Sequence, residues 1–524
     1  MSRRDFARLP FAGMIGADLE GRGMDWKAGI AAAERIAGGW NAEGGPGGAI
    51  LLFDTGGLRG AACGGYASIE HGLRFTPDTK MRYASISKHF LCGMLAIDGR
   101  IGFEDTLGQH IEAGPAQGAV TIGRALDMTS GIADAAPTQW LLGNSSSTAM
   151  DRHALLRFVT SMDALNYAPG TEVSYTNSGY RMVQAALEAK GVDYAAALKD
   201  VFFRPLGLTM HLPEDETEPV PGLATGYWKG PQGWRRGRYG LHYSASGGIT
   251  GTARDLATWA QALMTGRGPA AGLLRTLSAP RALVDGTVTG YGLGLARAPL
   301  GDIELVGHGG SLPGYTNHFL VAPKLGIGVV LLANREEVDP MAPCLTVLSA
   351  LTGVAEPAPA PDLLPEGRFI AEDAPIWIEH KAGVISYLDA QGTLFRDGDW
   401  AVSRAVEMPV RLRAEGGAIV GQIGHAARRF RPATGAGVRP EWAGEWVCPA
   451  QGGRFTITCD GSRAVLTSGA GPMRRSLDLL PIASDMALME RQDGPWKQRA
   501  LLHFTQAGVR MIVNRSRVLR FSKV

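Results

Sequence analysis

Strand-like segments stand at both ends of residues 1–353, with helical patterns between them, and this order restricts the fold more than any other feature of the chain. GGAILLFDTGG contains a core, Gly48 to Phe53, that reads as a buried strand bounded by glycines. A helical stretch, Trp26 to Trp40, precedes it. From Thr121 to about Met264 helical patterns dominate, as in TIGRALDMTSG, YRMVQAALEAKG and TARDLATWAQALM. Strand patterns return at IELVGHGG and then at YTNHFLVAPKLGIGVVLLAN, a hairpin turning at Pro323 to Gly326. The first and last portions are therefore expected to pair in one sheet, with the middle forming a helical lobe against it and a cleft between the two. The glycines of GGPGG precede a strand instead of joining a strand to a helix, so they fit turn chemistry better than phosphate binding.

The pattern changes after Gly353. VAEPAPAPDLLPEG, Val354 to Gly367, is a proline-rich spacer that stiffens the chain and marks a boundary. Beyond it come short alternating runs, among them PIWIEH, PVRLRA, FTITCD and RMIVNRS, separated by glycine or aspartate. Such spacing predicts closed or nearly closed antiparallel barrels. The glycine and proline cluster near Pro440 divides them in two. The predicted fold class is multidomain α+β: an antiparallel sheet with a helical lobe over 1–353, a linker over 354–367, and small β-barrel domains over 368–440 and 441–524.

Composition removes several functions. The 52 basic and 50 acidic side chains are nearly balanced and form no long single-sign run, so neither a nucleic-acid surface nor a membrane patch is expected. A small molecule or peptide is the expected partner. Five cysteines, Cys63, Cys92, Cys344, Cys448 and Cys459, show no metal-ligand spacing, and their odd number fits a reducing compartment. The eleven histidines do not cluster, and no metal or cofactor is expected. The location is expected to be cytoplasmic. Arg3 and Arg4 followed by Phe6 leave a periplasmic alternative through a twin-arginine-like leader.

One lysine stands where electrostatics disfavours it. In YASISKHFLCGML the residues Ile86, Phe90, Leu91, Met94 and Leu95 recur at helical spacing, so a helix starts near Ser85 and Lys88 falls in its first turn. The helix dipole there favours acids over an ammonium group. A serine needs a base before it becomes a good nucleophile. Burial and a positive field both push a lysine toward its neutral form, a shift from ~10.4 to near 7 that corresponds to about 4–5 kcal/mol. Ser85 and Lys88, three residues apart, share one helix face. Taken alone, the pair reads more readily as a capping serine beside a solvated lysine.

Two further segments carry similar alternatives. SYTNSGY places Tyr175 and Asn177 in a turn before a helix. They are a phenol able to shuttle a proton and an amide able to hold a substrate or Lys88, or else a surface turn. VGHGGSLPGY ends a strand at His308, whose imidazole can donate to a substrate or relay protons near neutral pH, or can simply be satisfied within a turn. His89, next to Lys88, reads as a structural helix residue.

In this order, Ser85-Ile86-Ser87-Lys88, Tyr175-Thr176-Asn177 and His308-Gly309-Gly310 resemble the three motifs of the penicillin-recognising serine hydrolases, which include the serine β-lactamases, D,D-carboxypeptidases and D-aminopeptidases. The resemblance spans roughly residues 45 to 350, including LDMTSGI, SGGITGTARDLATWAQAL and GYGLGLA. A histidine at position 308 and two trailing β domains look most like the D-aminopeptidases. The resemblance implies an acyl-enzyme on Ser85, proton transfer by Lys88 and Tyr175, and substrate orientation by Asn177 and His308. It also implies an oxyanion site using the backbone of Ser85 and Ser311, with Gly309 and Gly310 lining the substrate path. A loop of the last domain is expected to recognise a substrate ammonium; the candidate is MERQDGPWKQ, through Glu490 or Asp493. A D-aminopeptidase acting on small peptides, amides or esters is the first reading. An esterase, D-amino-acid amidase or D,D-carboxypeptidase is the alternative, with a non-catalytic D-peptide or β-lactam binder behind them. A homodimer is compatible with this architecture.

Overall fold

The computed structural model describes residues 23–241 and 244–524. Arg3 and Arg4 lie outside the described residues. Two compact units emerge. One is drawn from the chain up to Gly99, Val192–Gly237 and the residues up to Pro357; the other comprises Arg100–Gly191, the short stretch from Arg238 and Ala358–Val524.

A six-stranded antiparallel sheet forms the centre of the first unit, and its order joins the two ends of the sequence segment. Ala296–Leu300, Ile303–Leu312, Tyr315–Ala322, Ile327–Ala333, Gly48–Asp54 and Gly57–Gly64 lie side by side. Gly48 pairs with Ala333 and Asp54 with Ile327. The hairpin closes where its sequence predicts, with Ala322 opposite Ile327 and Gly326 at φ +64°. Strand alternation sends Ile50, Leu52, Val329 and Leu331 to one face. There they pack on Ala33, Ala37 and Trp40 of the helix Trp26–Glu43 and on Leu345 and Leu348 of the helix Ala342–Thr352.

The helix Ala253–Thr265 packs against strands of the same sheet. Its start is fixed by a capping box: Asp255 N–H donates to Thr252 Oγ1 at 2.9 Å, and Thr252 N–H donates to Asp255 Oδ2 at 3.0 Å. Leu256, Trp259, Ala260 and Leu263 supply the buried stripe at helical spacing. The stretch between Gly207 and Thr250 is less helical than its surroundings predict, and includes the hairpin Tyr227–Gly230 with Gly233–Arg236.

The second unit holds the helices Ile122–Leu126, Ala135–Leu141, Arg152–Ser161 and Ser178–Ala189, followed by two β structures. The first is a nine-stranded sheet between Gly367 and Pro432 whose two edge strands, Ala390–Thr393 and Phe395–Asp397, are separated in sequence by Leu394 alone. It is nearly closed. The second is an eight-stranded closed barrel from Gly444–Cys448 to Ser516–Lys523, sealed by Trp446 opposite Lys523 and Val447 opposite Ser522. Closure leaves no unpaired edge. Strand Met486–Asp493 shows the alternation well: Met486 and Leu488 join the core of the nine-stranded sheet, while Ala487 and Met489 face the barrel interior with Phe455, Met511 and Phe521. Trp140 and Leu141 belong to that interior cluster too.

Candidate active site

Ser85 lies in one turn of 3-10 helix, Ala84–Ser87, which runs directly into the α-helix Lys88–Asp98. The turn is entered through Ala84 at φ +53°, in the left-handed region that residues with a Cβ rarely adopt. Strain of this kind costs about 1–3 kcal/mol and persists only where neighbours enforce it. Here the segment after Ser244 does so. Tyr83 N–H donates to the Ile249 carbonyl at 2.9 Å, Ile249 N–H donates to Ser87 Oγ at 3.0 Å, and the Tyr83 hydroxyl donates to the Thr252 carbonyl at 2.6 Å.

Lys88 is 0% exposed, which excludes the solvated-lysine alternative. Its Nζ donates to Ser85 Oγ at 3.1 Å and to the Ser246 carbonyl at 2.5 Å. Desolvating an ammonium group is costly, so this placement calls for a reason beyond packing. Proton exchange with the adjacent serine supplies one. His89, by contrast, is a core residue: Trp259 Nε1–H donates to its Nε2 at 2.7 Å, and burial pushes its pKa down to about 3.

Strand Ile303–Leu312 passes close to the serine turn. A Cβ added to Gly310 would lie 2.1 Å from the Tyr83 carbonyl oxygen and 3.1 Å from the Ser85 nitrogen, so only glycine permits this approach. Ser311 follows it, exposed, opposite Thr316. Its position one residue beyond this contact suits a backbone donor near Ser85.

His308 is buried on the same strand, and both of its nitrogens are engaged. The Gly309 carbonyl, 2.5 Å from Nδ1, can only accept, so Nδ1 carries the proton. Nε2 then accepts from the Tyr291 hydroxyl at 2.7 Å. Burial first, and the Lys88 charge second, hold the imidazole pKa well below its usual value. His308 is therefore a neutral group that orients Tyr291, and the relay near neutral pH expected from its residue type does not fit its surroundings.

Tyr175 and Asn177 belong to the second unit. Asn177 donates from its backbone N–H at 3.2 Å and from Nδ2 at 2.9 Å to Oδ2 of Asp134, which is fully buried. Asp134 also faces Arg515 Nη1 at 3.4 Å. Arg515 occupies the two-residue turn between the strands Gly508–Val513 and Ser516–Lys523, and its guanidinium lies 5.5 Å from the Tyr175 ring centroid. Burial opposes its charge, but Asp134 and Asp389, with Tyr175 and Tyr239, outweigh that effect and raise its pKa.

The hairpin expected to meet a substrate ammonium is otherwise occupied. Glu490 sits on its outer face, paired with Lys497 at 2.6 Å. Asp493 accepts from Ser145 Oγ at 2.6 Å and from Ser146 N–H at 2.7 Å. The turn of the last barrel that meets Tyr175 is the one carrying Arg515. Asp134, Ser246, Tyr291 and Arg515 are absent from the residues singled out in the sequence. Tyr291 and Ser246 lie in GYGLGLA and SGGITG, stretches that signalled the family without naming a role.

Residues 32–351 match the Beta-lactamase family. The chain belongs to that family. Among characterised relatives, a D-aminopeptidase of Gluconobacter oxydans is 26% identical over 327 residues, 60% of each chain. A D-aminopeptidase of Cereibacter sphaeroides is 27% identical over 367 residues, 67% of each chain. The chain thus spans about three fifths of the length of the Gluconobacter relative. The octameric penicillin-binding protein homologue from Pyrococcus abyssi matches the fold with a TM-score of 0.55 at 19% identity, covering 92% of this chain and 98% of that one. For a member of the Beta-lactamase family, Ser85, Lys88 and the strand carrying His308 are then the residues of first interest.

Proposed function

We propose that this Beta-lactamase family member is a serine hydrolase that works through an acyl-enzyme and releases N-terminal D-amino acids from small peptides and amides. The observation that carries the reading is the buried Lys88 side-chain nitrogen 3.1 Å from Ser85 Oγ. Ser85 Oγ attacks the substrate carbonyl while Lys88 and Tyr175 take its proton and deliver it to the departing amine. The backbone N–H groups of Ser85 and Ser311 hold the oxyanion. Asn177 orients the substrate, and His308 acts by fixing Tyr291. Water then hydrolyses the serine ester. The D-aminopeptidase names of the relatives support the choice of substrate.

Initial rates on D-alanine and L-alanine p-nitroanilide, with Ser85→Ala as background, test this reading. A strong D preference that vanishes in folded Ser85→Ala is the expected result. Activity retained by a clean Ser85→Ala preparation would remove the nucleophile assignment.

One observation favours a second reading. Glu490 and Asp493 are committed to Lys497 and to Ser145 and Ser146, so neither carboxylate is held ready for a substrate ammonium. Esterase activity, or cleavage of N-acylated D-amides, fits a site without that contact. Faster turnover of N-acylated D-amides or esters than of the free-amine substrate would favour it.

A further inference from the structure

Tyr175 stands on a segment that no helix or strand holds in place. Glu172 to Thr176 is irregular backbone ahead of the helix Ser178–Ala189. Its position depends on bonds to the rest of the second unit. The helical lobe supplies one, from Ser174 N–H to the Met128 carbonyl at 3.0 Å. Both β structures supply others. Val173 N–H donates to the Gly424 carbonyl at 2.9 Å. Gly424 lies at φ +60° in the turn between the strands Ala418–Ile423 and Ala426–Pro432, and a Cβ there would lie 2.6 Å from the Val173 carbonyl oxygen, so turn and segment meet backbone to backbone. From the closed barrel, the Asn514 carbonyl accepts weakly from Ser174 Oγ at 3.4 Å.

Glu172 joins the two β structures. Its Oε1 accepts from Arg428 Nη2 at 2.9 Å, and its Oε2 accepts from Arg517 Nη1 at 3.0 Å. Arg428 belongs to the strand Ala426–Pro432 of the nine-stranded sheet and Arg517 to the strand Ser516–Lys523 of the closed barrel. The glutamate side chain is 13% exposed and each arginine side chain 7%, so both pairs are largely shielded from water and salt. Breaking a shielded pair leaves an uncompensated charge, which holds its geometry more firmly than a surface pair does. Arg428 also meets the exposed Asp373 at 3.0 Å. Arg517 is fixed in turn, its backbone N–H donating to Asn166 Oδ1 at 2.7 Å and its Nε to the Asn514 carbonyl at 3.3 Å. One carboxylate, three residues before Tyr175, thus draws both β structures onto the segment.

We propose that Glu172 is a positioning residue for Tyr175: by pairing with Arg428 and Arg517 at once, it fixes the segment that carries the phenol, and through it both β structures serve the proton transfer. This rests on the role given to Tyr175 above, in which the proton that leaves Ser85 Oγ reaches the departing nitrogen as the C–N bond breaks. That role predicts a signature that a general loss of stability does not produce. An anilide nitrogen needs a proton to leave, whereas p-nitrophenolate leaves as the anion, so a misplaced phenol slows the first substrate far more than the second.

Values of kcat/KM, which report acylation, on D-alanine p-nitroanilide and p-nitrophenyl acetate test the proposal in the full-length protein, with Ser85→Ala as background. Glu172→Gln is expected to lose at least about tenfold on the anilide and less than about threefold on the ester, and Tyr175→Phe should separate the two substrates in the same direction. Asp478→Asn, which breaks an exposed pair with Arg463 in the same barrel, should change neither. If Glu172→Gln fails to fold, Arg428→Gln carries the test, because it leaves the pair with Arg517. A second readout needs no turnover: the fluorine resonance of fluorotyrosine placed at position 175 should move in Glu172→Gln and stay fixed in Asp478→Asn. Equal losses on both substrates in Glu172→Gln where Tyr175→Phe separates them, or an unmoved fluorine resonance, would overturn the proposal. No anilide turnover by the parent, or no separation in Tyr175→Phe, would count against the reading of the site, and the fluorine resonance then decides the positioning alone.

Discussion

Arg515 holds its guanidinium 5.5 Å from the ring centroid of Tyr175, and it does so from a turn of the last β-barrel, far along the chain. Asp134 ties the arrangement together, meeting Arg515 at 3.4 Å and Asn177 at 2.9 Å. A cation over an aromatic face is worth ~0.5–2 kcal/mol. Arg515→Gln is therefore expected to lower kcat on the D-alanine substrate by about 3- to 30-fold, the same energy read as a rate, with the protein still folded. Arg515→Lys should recover part of the loss. Unchanged kcat in both variants would reduce Arg515 to a structural partner of Asp134.

Tyr291 and His308 form a second coupled pair, with the phenol donating to a neutral imidazole at 2.7 Å. Removing that hydroxyl in Tyr291→Phe forfeits one buried hydrogen bond, worth about 1 kcal/mol, and should reduce kcat/KM by about fivefold. Because burial and then Lys88 hold His308 neutral, its own protonation should not shape the pH profile near neutrality. His308→Gln should lower the rate without moving the acid limb of kcat/KM. A shift of that limb in His308→Gln would make His308 a proton carrier after all.

The buried His89 gives stability a pH dependence of known sign. Its folded pKa of about 3 lies below the value of ~6.5 expected in the unfolded chain, so between those limits the unfolded state binds the additional proton. The stabilisation is present above pH ~6.5 and is lost as pH falls toward ~3. The thermal midpoint should accordingly fall with pH below ~6.5, and the slope should be shallower in His89→Gln, which carries no titrating group. Equal slopes in the two proteins would show that other groups govern acid unfolding.

What could be read from the sequence was local or periodic. The apolar spacing around Phe90 and Leu95 placed Lys88 in a first helical turn, and alternation placed the hairpin at Pro323 to Gly326. Pairing of the Gly48 strand with the Ala333 strand also followed, because a buried strand at each end of a helical stretch has few other partners. Barrel turns are different. Alternation tells which residues of Met486–Asp493 share a face, but which turn approaches Tyr175 depends on closure between Trp446 and Lys523, a contact set by the whole barrel. For that reason Glu490 and Asp493 stood out by charge while Arg515 did not. Glu172 was hidden for a related cause, since Arg428 and Arg517 reach it from β structures far along the chain.

Gly310 is the point at which the sheet and the serine turn constrain each other most closely. A methyl group there would meet the Tyr83 carbonyl oxygen at 2.1 Å, well inside contact distance, and this oxygen belongs to backbone that cannot rotate away. The clash can be relieved by moving the strand or by moving the turn that holds Ala84 in its strained conformation. Either movement displaces Ser85 N–H relative to Ser311, and misplacement by about 1 Å in an oriented site can cost on the order of 100-fold in rate. Overpacking adds about 1–3 kcal/mol of destabilisation. Gly310→Ala is thus expected to lose most of its turnover with a measurable drop in thermal midpoint, whereas Gly39→Ala, on the helix Trp26–Glu43 with open space around the added methyl, should change neither much. If Gly310→Ala kept full activity, the close approach of the strand to Ser85 would have no part in catalysis.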